Sequence, residues 1–128
     1  MKIIHVDKNN SLLINDLEKH GHENIIAYKK TKSEILKIIH NYDGLIIRSR
    51  FTIDKSFLIK SKKLKFIARV GSGTENIDVD FAKSLKIKII SAPKGNSNAV
   101  GEHALGMLLS LLNNCLLYTS DAADETCR

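Results

Sequence analysis

Short apolar runs alternate with amphipathic stretches along most of the chain. Runs without internal alternation, such as residues 44–48 (Gly-Leu-Ile-Ile-Arg), are typical of strands covered on both faces of a parallel sheet. Between them apolar residues recur at helical spacing, as in Leu12, Leu13 and Leu17, which share one helix face. The strands are predicted at residues 2–6, 24–28, 44–48, 65–70 and 86–90. The helices are predicted at residues 11–20, 31–40, 54–60, 78–85 and 98–113.

This alternation of strand and helix predicts an α/β fold. Five strands separated by helices favour a doubly wound parallel sheet, with a flavodoxin-like strand order. Polar residues at the predicted helix starts are suited to capping: Ser11, Thr31 or Ser33, and Asn98. Neither a repeat nor a linker interrupts residues 1–114, which are therefore expected to form one domain.

The last predicted helix has almost no polar face. A helix that is apolar all round is normally buried, so we expect this one to pack against a further domain or subunit. A core helix of the same domain is the alternative. Gly101 and Gly106 each cost this helix about 1 kcal/mol relative to Ala, and such glycines suit a close approach of another backbone.

Composition narrows the classes of function. The net charge is +6, but 16 of the 20 basic residues are scattered lysines and only seven residues are aromatic. This pattern is typical of a solvated surface, and nucleic-acid binding is the weaker alternative.

Two cysteines cannot form a disulfide framework or a four-ligand zinc site. The most apolar stretch is shorter than the roughly 18 residues of a spanning helix, so we expect a soluble cytoplasmic protein.

The composition changes abruptly near the end of the chain. Ile, Lys and Asn make up 43 of the first 114 residues and none of residues 115–128. Such a shift is typical of a non-native segment. We therefore expect residues 115–128, which contain both cysteines, to be a non-native tail without a function.

Three predicted loops follow strands at the edge where doubly wound sheets bind their ligands. The first contains Arg48, Ser49 and Arg50. In an extended chain the two guanidinium groups would point the same way and could hold one anion, with the Ser49 hydroxyl beside them. An ordinary charged strand end is the alternative.

The second loop is residues 71–78 (Gly-Ser-Gly-Thr-Glu-Asn-Ile-Asp). Backbone N–H groups of Gly71, Ser72 and Gly73 could turn toward a carboxylate or phosphate oxygen. The loop resembles a dinucleotide fingerprint, but Asn76 occupies the place of the third glycine and no acidic residue ends the next strand. The chain is therefore predicted to lack a nicotinamide-nucleotide fold of its own.

The third loop offers uncharged polar groups. Asn96 and Ser97 precede the last helix, whose N-terminus favours anions. No metal site is predicted, because the histidines flanking Gly21 have too few neighbouring ligands. The adjacent Glu102 and His103 point about 100° apart on a helix, so we expect no acid–base pair there.

Together these segments resemble the D-isomer-specific 2-hydroxyacid dehydrogenases. The matching segments are 48–53 (Arg-Ser-Arg-Phe-Thr-Ile), 70–78 (Val-Gly-Ser-Gly-Thr-Glu-Asn-Ile-Asp) and 92–97 with 99–103, and the likeness spans residues 1–114. The branch that acts on 3-phosphoglycerate is the most similar. The resemblance implies a flavodoxin-like substrate domain, interrupted by an inserted NAD domain into which the last helix would cross.

The resemblance also implies roles for individual residues. Arg48, Ser49 and Arg50 would hold the phosphate or distal acid of the substrate. The backbone of Gly71–Gly73 and the side chain of Asn96 would hold its carboxylate. Ser72 would in addition face the nicotinamide of NAD.

The implied reaction is oxidation of a D-2-hydroxy acid by hydride transfer to NAD. For 3-phosphoglycerate the product is 3-phosphohydroxypyruvate, in serine synthesis. Another acid, such as glycerate or lactate, and a stand-alone anion-binding module are the alternatives. The catalytic arginine, glutamate and histidine of the family belong to the inserted domain, so this chain alone is expected to be inactive. The intact protein is expected to be a homo-oligomer.

Overall fold

The computed structural model describes residues 1–95 and 97–112, and the chain divides into two compact units, one of Met1–Pro93 and one beginning at Lys94. The strands of the first unit are β1 (Lys2–His5), β2 (Glu23–Ile26), β3 (Gly44–Ile47), β4 (Phe66–Arg69) and β5 (Lys88–Ile90). Its helices are α1 (Ser11–Lys19), α2 (Lys32–Ile38), α3 (Lys55–Lys60) and α4 (Val79–Ser84), and a 3-10 turn (Ile39–Asn41) follows α2. The second unit contains α5 (Ser97–Leu112).

The five strands form one parallel sheet in the order β2-β1-β3-β4-β5. The predicted doubly wound sheet and its flavodoxin-like order are therefore confirmed. In the register, Ile4 of β1 lies opposite Ile25 of β2 on one side and Leu45 of β3 on the other. Because all strands run the same way, their carboxyl ends meet along a single edge.

The core is built around β3, which is buried at all four positions. This agrees with its non-alternating apolar sequence, since a central parallel strand is covered on both faces. Its first residue, Gly44, must be small because a Cβ there would overlap the ring of Phe66 on β4. The fully buried residues include Ile4, Val6, Ile35, Ile39, Leu45, Ile47, Ile53, Phe57 and Ile67.

Two of the predicted helix caps are wrong and one is confirmed. Thr31 caps α2 in a capping box, in which the Thr31 N–H donates to the Glu34 carboxylate at 2.6 Å. In α1 the cap is Asn10, whose Oδ1 accepts from the Leu12 N–H at 3.0 Å, because the helix already begins at Ser11. Asn98 lies inside the first turn of α5, which begins one residue earlier.

The helix α5 contains no buried residue. Its apolar side chains are about half exposed, from 48% at Leu109 to 69% at Leu112. Packing of this helix against a further domain or subunit therefore stays a prediction. None of the described helices is long and apolar enough to cross a membrane.

Truncation of a buried side chain in β4 should destabilise the first unit strongly. Ile67 is fully buried, so Ile67→Ala is expected to lower the free energy of unfolding by about 2–5 kcal/mol, through lost burial and a residual cavity. Urea denaturation measures this. The control Ile26→Ala removes a half-exposed side chain from the edge strand β2 and should cost about 1 kcal/mol or less. Equal losses would contradict this core.

The N-cap of α3 should make stability depend on acid pH. Asp54 accepts from the Lys32 ammonium at 2.8 Å, from the Ser56 hydroxyl at 2.6 Å and from the Phe57 N–H at 2.9 Å. The hydrogen bond from Lys32 is the largest of the effects that hold the pKa of Asp54 well below its usual range.

A lowered folded-state pKa gives stability that is present above the unfolded pKa of about 3.9 and is lost as the pH falls toward the folded value. We therefore expect the wild type to lose more stability between about pH 5 and pH 2 than Asp54→Asn, which keeps the capping oxygen but does not titrate. Urea denaturation at a series of pH values measures the difference. Parallel curves would contradict this role for Asp54.

Candidate functional site

Two of the three predicted loops lie side by side at the carboxyl edge of the sheet. Residues 48–51, the arginine loop, follow β3, and residues 71–76, the glycine loop, follow β4. The Val70 N–H donates to the Ile47 carbonyl at 2.8 Å, so the β3–β4 pairing continues up to the start of both loops. The Ala92 N–H donates to the Gly71 carbonyl at 2.9 Å and connects the segment after β5 to the glycine loop.

The arginine loop bends as soon as β3 ends at Ile47. The prediction of an extended strand through Arg48 is therefore wrong, and the extended chain in which Arg48 and Arg50 would point the same way is not formed. The physical reason is Asp7, whose carboxylate accepts from the Arg48 N–H at 2.6 Å. The Asp7 carboxylate thus binds the Arg48 N–H group, which in a longer strand would donate to a neighbouring strand.

Arg50 already binds main-chain oxygens of the neighbouring strands. Its Nη1 donates to the Val6 carbonyl at 2.6 Å and to the Ala27 carbonyl at 3.3 Å. These carbonyls follow directly on β1 and β2, so the guanidinium lies across the carboxyl ends of both strands. Its remaining N–H donors, on Nε and Nη2, make no hydrogen bond to the described part of the chain, and an anion could use them.

A third arginine lies at the same edge and received no role in the sequence analysis. Arg69 is the last residue of β4, and its Nε is buried without a hydrogen-bond partner within residues 1–95 and 97–112. A Cβ on Gly71 would overlap its guanidinium, and Gly71 has a φ of +151°, where side chains are disfavoured. The rarity of arginine in the sequence could have pointed to Arg69, since Arg48, Arg50 and Arg69 are the only arginines among the first 127 residues.

Ser72 and Gly73 form the middle of the glycine loop. Ser72 is exposed and Gly73 is partly buried. The Glu75 carboxylate lies so close to Gly73 that a Cβ there would overlap it. An incoming anion must therefore compete with this carboxylate for the loop.

Asn76 connects the two loops. Its Nδ2 donates to the carbonyls of Arg48 at 3.4 Å and of Phe51 at 3.3 Å. Sequence reasoning considered Asn76 only as a departure from the dinucleotide fingerprint. The glycine loop does not match the phosphate-binding turn of that fingerprint, because α4 begins only at Val79 and the loop does not lead directly into a helix.

The remaining sequence candidates lie elsewhere or outside the described residues. Asn96 and the tail 115–128 with its two cysteines lie outside them. The Ser97 hydroxyl donates to the Lys94 carbonyl at 3.3 Å within the second unit. Among residues 1–95 and 97–112, no group of three or more His, Cys, Asp and Glu side chains could hold a metal ion.

Comparison with known proteins identifies the family. The model of the catalytic domain of D-isomer specific 2-hydroxyacid dehydrogenases matches residues 4–128. The chain therefore belongs to the D-isomer-specific 2-hydroxyacid dehydrogenase family, and the resemblance seen in its three motifs is confirmed.

The similar relatives include D-3-phosphoglycerate dehydrogenases. The chain is 35% identical over 114 residues to that of Methanocaldococcus jannaschii, which covers 89% of this chain and 22% of the relative. It is 28% identical over 110 residues to that of Archaeoglobus fulgidus, which covers 86% of this chain and 21% of the relative. The chain thus spans only a small part of these proteins.

A solved structure has the same fold. The NAD⁺-bound 3-phosphoglycerate dehydrogenase of Entamoeba histolytica superposes with a TM-score of 0.67 and 33% identity. The match covers 86% of this chain and 38% of that one.

Gly71 should be required to accommodate Arg69. In Gly71→Ala the new Cβ would overlap the guanidinium at a backbone conformation that disfavours side chains, so we expect a loss of about 1 kcal/mol or more in unfolding free energy. The Arg69 Nε–H resonance should shift in NMR spectra. Gly101→Ala is the control, because a Cβ there meets no atom within 4 Å. An unchanged Arg69 resonance in Gly71→Ala would contradict this arrangement.

Proposed function

We propose that this chain is the substrate-binding part of an NAD-dependent D-2-hydroxyacid dehydrogenase that oxidises 3-phosphoglycerate to 3-phosphohydroxypyruvate in serine biosynthesis. The observation that carries this proposal is the gathering of Arg48, Arg50 and Arg69 at one sheet edge of a chain that otherwise uses lysine. Guanidinium groups bind phosphate and carboxylate oxygens through paired hydrogen bonds. The relatives named D-3-phosphoglycerate dehydrogenase support the same substrate.

The residues of this chain bind and orient the substrate. The arginine loop, with the Ser49 hydroxyl, holds the phosphate, and Arg69 adds a cation at the start of the glycine loop. The N–H groups of Gly71, Ser72 and Gly73 face the carboxylate, and Asn96 keeps the role that the family resemblance gives it. Ser72 lies toward the nicotinamide side of the substrate.

The redox chemistry belongs to residues beyond this chain. When bound, NAD would supply the acceptor for the hydride on C2 of the hydroxy acid. The inserted domain of the family would hold NAD and contribute the catalytic arginine, glutamate and histidine. The misfit of the glycine loop to a dinucleotide supports this division. The 128-residue chain is therefore inactive alone. The proposal also includes that the intact protein is a cytoplasmic homo-oligomer.

The division of the chain is part of the proposal. Residues 1–114 are the substrate domain, α5 crosses into the NAD domain, and residues 115–128 are non-native. The small share of each relative that the chain spans supports a further domain in the intact protein. Sequencing the genomic locus past the codon of Asn114 tests it: a strand, a glycine-rich turn and a helix are expected, whereas an in-frame stop after Arg128 would refute it.

One observation favours a smaller substrate as the second candidate. The Nη1 of Arg50 is occupied by the carbonyls of Val6 and Ala27, which leaves fewer donors for a doubly charged phosphate. A dehydrogenase of glycerate, hydroxypyruvate or lactate needs only one carboxylate site. The preference between phosphorylated and unphosphorylated acids separates the two candidates.

The arginine loop should control that preference. In the intact enzyme, Arg48→Leu and Arg50→Leu are each expected to lower the ratio of kcat/KM for 3-phosphoglycerate to that for glycerate by about 10- to 100-fold, because each removes charge-assisted hydrogen bonds to the phosphate. Steady-state NADH absorbance measures the ratio. Lys62→Leu removes an exposed cation that follows α3 and serves as the control. An unchanged ratio in both arginine variants would favour the smaller substrate.

A further inference from the structure

We propose that Asn76 is a positioning residue that holds the arginine loop against the glycine loop and thereby sets the affinity for the phosphate group of the substrate. This inference rests on the proposed function. It concerns a side chain whose hydrogen bonds to the arginine loop go only to main-chain carbonyls, so its effect on a ligand is indirect.

The first observation is that one amide group binds both ends of the arginine loop. The Nδ2 of Asn76 donates to the carbonyls of Arg48 and Phe51, the first and last residues of that loop, at 3.4 and 3.3 Å. Because Asn76 uses only carbonyl oxygens, it takes up no side-chain donor of Arg48, Ser49 or Arg50, although Arg50 Nη1 is already bound to the carbonyls of Val6 and Ala27.

The second observation is that the backbone of Asn76 is itself fixed. Its carbonyl accepts from the Ile53 N–H at 2.7 Å, and the Asp78 N–H donates to the Ile53 carbonyl at 2.9 Å. These bonds form a short parallel bridge between Ile53 and Ile77, both of them buried. The amide of Asn76 is therefore presented to the arginine loop from a rigid support.

The third observation concerns the orientation of the amide. The Oδ1 of Asn76 is buried and has no hydrogen-bond partner among the described residues. A flipped amide would place this oxygen against two carbonyl oxygens, so the observed orientation is the one that the arginine loop selects. A buried acceptor without a partner costs free energy, and the two bonds to the loop offset that cost.

The other restraints on the arginine loop come from the opposite side. Asp7 binds the Arg48 N–H, and Arg50 binds carbonyls that follow β1 and β2. Within the described residues, Asn76 is the side chain that joins this loop to the glycine loop by hydrogen bonds. A ligand held by both loops binds more tightly when their separation is already set, since less conformational freedom is lost on binding.

The test compares two asparagines that bond to main-chain carbonyls. In the 128-residue chain, Asn76→Leu removes the donors at similar volume, and Asn24→Leu is the matched control. Asn24 donates to the Ile14 carbonyl at 3.3 Å and accepts from the His5 ring at 2.8 Å, in β2 and away from both loops. NMR titrations with 3-phosphoglycerate, inorganic phosphate and glycerate, together with thermal unfolding, are measured for each protein.

We expect Asn76→Leu to weaken binding of 3-phosphoglycerate and phosphate about tenfold, with glycerate affected less than threefold. Asn24→Leu should lower the unfolding temperature and leave all three affinities unchanged. In the intact enzyme, Asn76→Leu should raise KM for 3-phosphoglycerate about tenfold and change kcat little. If Asn76→Leu does not fold, Asn76→Ser, whose hydroxyl is too short to reach both carbonyls, carries the same expectation.

The outcomes separate this inference from the proposed function. If the wild-type chain binds glycerate as tightly as 3-phosphoglycerate, the proposed phosphorylated substrate is wrong. If the wild type prefers 3-phosphoglycerate and the Asn76 variants keep that preference and affinity, the positioning role is overturned. Equal weakening of every ligand by Asn76→Leu and by Asn24→Leu would also overturn it, because loss of stability alone would then explain the effect.

Discussion

The pairing of β3 with β1 and β4 is the interaction on which the rest of the structure depends. β3 is buried throughout, and Gly44 allows the Phe66 ring of β4 to lie against its start. Parallel pairing in a single register brings the ends of the strands to one edge. The arginine loop and the glycine loop are neighbours because the strands before them are hydrogen-bonded up to Val70.

At that edge, backbone polar groups and cationic side chains differ in the hydrogen-bond partners that they have. The carboxylate of Asp7 and the amide of Asn76 take up the N–H and the carbonyl of Arg48. Arg50 uses part of its guanidinium on carbonyls of neighbouring strands, where the partial negative charges of those oxygens favour a cation. Arg69 retains a buried Nε without a partner in the described chain, and together with Arg48 and Arg50 it concentrates positive charge at this edge.

In the proposed function the described residues bind the substrate, and the catalytic groups come from elsewhere in the intact protein. Membership of the D-isomer-specific 2-hydroxyacid dehydrogenase family rests on the match to residues 4–128, and the chain spans a minor share of its relatives. A glycine loop that ends in Asn76 and not in a helix start suits a small acid better than a dinucleotide. The apolar side chains of α5 are about half exposed, and packing of this helix against more protein stays a prediction.

The sequence by itself determined the fold and the two loops at the sheet edge. Unbroken apolar runs such as 44–48 indicate a strand that is covered on both faces, and apolar residues at helical spacing indicate a helix with one apolar face. Local patterns were therefore enough to predict the five strands and the five α-helices. Only the tertiary structure decided that Arg50 binds the Val6 carbonyl, that Asp7 bends the chain at Arg48 and that Asn76 joins the loops. The partners in these three contacts are separated along the chain by 44, 41 and 28 positions, respectively. Because periodicity reports only which face of an element is buried, partners so distant along the chain become visible once the sheet has brought them together.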